Sequence, residues 1–121
     1  ADAKRDNGTF TAIDLATGRI AWQQVLPDPL VGGALATAGG LAFVGTKDKR
    51  FIAYDARTGR QVWSYSAAAG VNAPPISYAL DGRQYVAVAA GGNFQINAPR
   101  GDEVLVFALP APGDSATAGG R

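Results

Sequence analysis

Asp14 and Asp55 are the residues whose type and context first invite a chemical reading. Paired carboxylates divide acid and base work when their surroundings push them apart. Here the surroundings are copies. AIDLATGRIAW (residues 12–22) and AYDARTGRQVW (residues 53–63) each set an Asp ahead of Thr-Gly and then a Trp. An Asp in that position closes an Asx-type turn, and the Gly supplies the positive φ of the reversal. The turn reading displaces catalysis at both aspartates. Other chemistry is scarce, because the chain contains no His, Cys or Met. It offers no imidazole base, no thiolate metal site and no disulfide. Gly32-Gly33 and Gly39-Gly40 are not phosphate cradles, since no Gly-Lys-Ser/Thr follows and no helix start receives an anion. Lys47, Asp48, Lys49 and Arg50 read as a solvated hairpin tip. Asn7-Gly8-Thr9 fits a glycosylation acceptor and Arg100-Gly101-Asp102 an adhesion tripeptide, but three-residue matches of this kind arise by chance.

The chain has 121 residues, 47% of them hydrophobic and only 17% charged, with a formal charge of +1. That is one modest domain at most. Its eleven cations form no block of like charge, which argues against the concentrated basic face of a nucleic-acid binder. Gly, Pro or a charge interrupts every apolar run before a bilayer-spanning length. Residues 1–8 lack the apolar centre of a signal peptide.

The elements that carry these residues follow from an internal repeat. Asp14 recurs at Asp55, Gly18 at Gly59 and Trp22 at Trp63, always 41 residues on. A period near 40 with strand-like segments is the spacing of propeller blades. In each copy an alternating run (Phe10, Ala12; Phe51, Ala53) enters the turn, and the Trp follows on the next strand, aimed at a neighbouring sheet. Leu41–Gly45, Phe51–Asp55, Pro74–Tyr78, Gln84–Ala89 and Glu103–Leu109 read as strands bounded by Gly, Pro and polar turns. Asp81-Gly82 is a two-residue hairpin signal that sets Tyr78 opposite Tyr85 as a packing pair. By blade position the count is two strands around Asp14, a complete four-stranded blade over residues 32–66, and three strands over residues 72–109. Two and a quarter blades cannot close a ring, so the chain reads as part of a longer propeller, residues 1–110, with 111–121 as a flexible tail.

These residues carry a family resemblance. The segment from Trp22 to Trp63, then GVNAPPISYALDGRQYVAVAAGG (residues 70–92) and GDEVLVFALP (residues 101–110), resembles the C-terminal part of the pyrroloquinoline quinone (PQQ)-dependent dehydrogenases. The two Asp-x-x-Thr-Gly-x-x-x-Trp segments are similar to that family's tryptophan docking motifs. The resemblance implies an all-β fold, about two blades of an eight-bladed β-propeller built from four-stranded antiparallel sheets. It implies oxidation of an alcohol or sugar in the periplasm, with PQQ taking the electrons. Calcium or another Lewis-acid cation would polarise the quinone, and a cytochrome c could accept the electrons.

The family's cation ligands, its catalytic carboxylate and its adjacent-cysteine disulfide lie upstream of the matching segment. No catalytic residue and no metal ligand is therefore assigned here, and the isolated chain is expected to be inactive. One local match remains: Gly91, Gly92 and Asn93 fall where the family sets a glycine and its neighbour, often Trp, beside the cofactor. Asn93 resembles the more polar loop of the sugar-oxidising branch, which leaves alcohol and sugar both open. The alternative is a non-catalytic propeller module that binds protein partners, as in assembly lipoproteins with similar repeats.

Overall fold

The computed structural model describes residues 7–93 and 97–110; the expected tail at 111–121 lies outside the described residues. Strands β1 (Gly8–Ile13) and β2 (Ile20–Leu26) form a two-stranded sheet. A four-stranded sheet follows in chain order: β3 (Ala34–Ala36), β4 (Leu41–Gly45), β5 (Arg50–Asp55) and β6 (Gln61–Ser66). The last sheet has three strands, β7 (Ile76–Leu80), β8 (Arg83–Ala90) and β9 (Glu103–Ala108). All neighbours are antiparallel. Strand number per sheet agrees with the count read from the sequence.

The middle sheet is covered on both faces, which explains its near-continuous apolar strands. Successive side chains point to opposite faces. Val44, Ile52 and Tyr54 therefore pack towards Phe10, Trp22 and Leu30 of the first sheet and its connection. Phe43, Phe51 and Ala53 pack towards Val86, Val88, Leu105 and Phe107 of the third. Phe51 stacks between Phe43 and Phe107 at centroid distances of 5.5 and 5.8 Å. Covered on one side only, the end sheets keep apolar side chains in water, among them Ile76 and Val104.

Local details refine the sequence boundaries. The β7–β8 hairpin turns at Asp81 (φ 52°) and Gly82 (φ 77°), the left-handed pair of a type I′ turn. Tyr78 sits opposite Tyr85, their rings stacked at 5.4 Å. The strand entering this hairpin begins at Ile76 rather than Pro74, because Pro74 and Pro75 have no N–H for the ladder. Irregular pairing occurs at Ala12/Ile13 and again at Ala53/Tyr54, so the bulge before the turn obeys the same 41-residue period.

Candidate functional site

Antiparallel order sends the connections to two opposite ends of the sheets. At one end lie residues 14–19 and 56–60. Asp14 Oδ1 accepts from the Ala16 N–H at 2.8 Å, and Asp55 Oδ1 from the Arg57 N–H at 2.8 Å. The Gly18 and Gly59 N–H groups donate to the carbonyls of Asp14 and Asp55. Both carboxylates are turn formers, as their spacing implied.

The second turn also receives the first sheet. Trp22 Nε1 donates to the Ala56 carbonyl at 2.8 Å, and Gln24 Nε2 donates to the Gly59 carbonyl at 2.7 Å. Gly59 has φ +73°, and a Cβ there would lie 2.6 Å from Trp22 Cδ2. One glycine thus serves both the reversal and the seat of the indole. Tyr54 packs beside this indole at 6.1 Å; burial raises its phenol above the ordinary value, and Arg50 partly offsets that. Trp63 holds the same position one period on and packs edge-on against Phe107 at 4.9 Å. Both tryptophans therefore lie between sheets.

The opposite end gathers residues 27–33, 46–49, 67–75, 91–93 and 97–102. Backbone bonds tie these connections to each other: Val71 N–H to the Thr46 carbonyl (3.0 Å), Gly70 N–H to Pro99 (2.8 Å) and Gly92 N–H to Gly70 (2.9 Å). Gly91 is exposed, with its carbonyl accepting from the Gly101 N–H at 3.2 Å. Gly92 has φ +78°, and a Cβ there would collide with the Pro99 carbonyl. Backbone packing by itself requires that glycine. Asn93 is half-buried, and its carbonyl accepts from the Ala98 N–H at 2.9 Å. The three residues singled out from the sequence thus stand together on a surface joined by backbone hydrogen bonds, at the end away from Asp14 and Asp55.

Two ion pairs lie at this end. Lys47 lies 4.0 Å from Asp28, and Arg50 lies 3.0 Å from Asp48, which also accepts from the Thr46 hydroxyl. Among the described residues no group of three or more His, Cys, Asp or Glu could hold a metal ion. Asn72 lies in the connection between β6 and β7. Its Oδ1 is enclosed and accepts no hydrogen bond.

Comparison with known proteins agrees with the blade-like sheets. Residues 4–86 match the family described as PQQ: glucose/ethanol/alcohol dehydrogenase, beta-propeller domain. The chain belongs to this family. Its sheets are therefore blades of a PQQ dehydrogenase propeller. Over 69% of the chain, it is 43% identical to the quinoprotein alcohol dehydrogenase PedE of Pseudomonas putida, covering 13% of that protein. It is 34% identical to the quinoprotein glucose dehydrogenase of Gluconobacter oxydans, with 85% of the chain and 16% of the relative covered. Among solved structures, the quinohemoprotein alcohol dehydrogenase of Comamonas testosteroni superposes with a TM-score of 0.74 at 34% identity. That match covers 95% of this chain and 18% of the other. A europium-containing methanol dehydrogenase gives a TM-score of 0.74 at 30% identity, over 84% of this chain and 23% of the other. The chain thus spans less than a quarter of each of these relatives.

Proposed function

We propose that this chain is a C-terminal portion of a periplasmic PQQ-dependent dehydrogenase that oxidises an alcohol or a sugar, and that Gly91, Gly92 and Asn93 border its quinone. The supporting observation is the family match over residues 4–86, taken with the gathering of Gly91–Asn93 and three further connections at one end of the blades. When bound, the quinone accepts the two electrons released as a substrate C–OH becomes C=O.

This chain's residues do the rest by position. Exposed Gly91 brings its main chain to the surface with no side chain to hold the ring away. Gly92, bonded to Gly70, fixes the height of that surface. The Asn93 amide offers donors to a carboxylate or carbonyl oxygen of the quinone, where a Trp would wall the cavity instead. Asp28 and Asp48 sit in ion pairs at this end and Glu103 Oε1 lies 3.5 Å from the Ala68 N–H, while Asp102 is exposed. By the family resemblance, a base for the substrate hydroxyl and the ligands of calcium or another cation are assigned to the remainder of the protein. Electrons would leave to a cytochrome c, the acceptor in the name of a 1-butanol dehydrogenase of Thauera butanivorans.

The test is dye-linked oxidation by the full-length protein loaded with PQQ and calcium, using ethanol and glucose as substrates. Turnover that requires PQQ is expected, with the 121-residue chain alone inactive under the same conditions. Absence of turnover with every alcohol and aldose tried would contradict the proposal.

A further inference from the structure

Gly101 stands just before β9 with φ outside the left-handed region, so its backbone alone does not call for glycine. It is also exposed to solvent, where a side chain would ordinarily find room. What requires glycine is one contact. A Cβ built on Gly101 would stand 2.6 Å from the Ala69 Cβ, about 1 Å inside the usual carbon–carbon separation. Ala69 is fully buried at 0% and belongs to the core cluster between the second and third sheets.

The main chain of Gly101 also holds the segment singled out above. Its N–H donates to the Gly91 carbonyl at 3.2 Å, and the Gly92 N–H donates to the Gly70 carbonyl at 2.9 Å. Gly70 N–H donates to the Pro99 carbonyl at 2.8 Å, and Ala98 N–H to the Asn93 carbonyl at 2.9 Å. With the Gly101–Ala69 contact, these bonds close a circuit through residues 69–70, 91–93 and 98–101. A methyl at position 101 must open that circuit somewhere. Ala69 and Val71 are anchored in the core, whereas Pro99, Arg100 and Gly101 are exposed, so the exposed segment gives way. Gly91 and Asn93 are bonded to that segment and move with it.

We propose that Gly101 is a positioning residue for the quinone site: its bare backbone against Ala69 sets where Gly91, Gly92 and Asn93 stand, and so how well the quinone is held. This rests on the reading above that those three residues border the quinone. Gly101 acts through Gly91, by the hydrogen bond between them. The contact can be exchanged. Ala69→Gly removes the methyl that a side chain at 101 would strike, so the double variant carries one methyl in the same gap from the other side. Volume-conserving exchanges of this kind are the best tolerated in packed sites.

The experiment uses the full-length protein carrying Gly101→Ala, Ala69→Gly and the two combined. Hydrogen–deuterium exchange of the apoprotein at residues 91–93 reads their placement without ligand. A PQQ titration, followed by quenching of intrinsic fluorescence, reads affinity. Gly101→Ala is expected to speed exchange at 91–93 and to weaken PQQ about tenfold, the worth of one misplaced hydrogen bond to a charged group. Adding Ala69→Gly is expected to restore both, and to restore folding should Gly101→Ala alone not fold. A double variant no better than Gly101→Ala would overturn the inference. So would unchanged exchange at 91–93 in Gly101→Ala, or acceleration spread evenly over the blades, which marks a general loss of stability. Exchange that changes and is rescued while PQQ affinity keeps its wild-type value would instead overturn the placement of Gly91–Asn93 beside the quinone. Wild-type protein that takes up no PQQ would overturn the dehydrogenase reading, with exchange still deciding the Gly101–Ala69 contact.

Discussion

Gly18 and Gly59 share a turn, a period and nearly the same positive φ, yet they do different work. A Cβ on Gly18 meets nothing within 4 Å, whereas one on Gly59 strikes the Trp22 ring. Gly18→Ala should therefore cost only the left-handed backbone penalty, about 1 kcal/mol. Gly59→Ala should cost at least about 1–2 kcal/mol more, because the indole must shift from its seat. Urea unfolding of the two variants in the full-length protein checks this, and equal costs would show that Trp22 does not rest on Gly59. The turn itself was legible from residue types, since Asp, Thr and Gly act on their own backbone. The indole's acceptor was not, because the Ala56 carbonyl is supplied by another sheet and carries no side-chain signature. Asn72 was illegible for a related reason: an orphaned acceptor is defined by what surrounds it.

Among the elements, hairpins were the easiest to read and bulges the hardest. Asp81-Gly82 announced a two-residue turn, and the structure gives both residues positive φ. Type I′ turns favour Asn over Asp at the first position and strongly disfavour β-branched residues there. Asp81→Val is therefore expected to lose about 1–2 kcal/mol, with Asp81→Asn neutral or slightly stabilising. Thermal unfolding that ranks valine level with asparagine would show that the hairpin turns otherwise. The repeated irregularity at Ala12/Ile13 and Ala53/Tyr54 left no comparable mark, because an extra residue in a ladder shows only against its partner strand. Strand β9 ends at Ala108, one residue short of the sequence reading, although the Leu109 N–H still donates to the Gln84 carbonyl at 2.9 Å.

Across the molecule, three sheets stack with two interfaces and leave two apolar faces open. Ile76, Tyr78 and Leu80 of β7 and Val104 and Val106 of β9 are all exposed on the third sheet, with Val104 at 70%. A patch of that kind is usually covered in a functioning protein. The chain spans 13% of the Pseudomonas putida relative, and a neighbouring blade in the complete ring would supply the cover. The isolated 121-residue chain should therefore self-associate at micromolar concentration, and Val104→Lys with Val106→Lys should reduce that association. Size-exclusion chromatography with light scattering decides it; a 12.4 kDa monomer at every concentration would contradict the expectation. Blade count was legible because turns and tryptophans punctuate the chain at a fixed period. Which connections share an end was not, since only the antiparallel order of the strands separates the two ends.

That separation of ends is the most direct point at which to test the account. Hydrogen–deuterium exchange of the full-length protein, with and without PQQ, reports each connection independently. Binding should slow exchange at residues 69–74 and 91–93 and leave the Asp turns at 14–19 and 56–60 unchanged. Protection confined to those turns, or absent from 69–74 and 91–93, would contradict it.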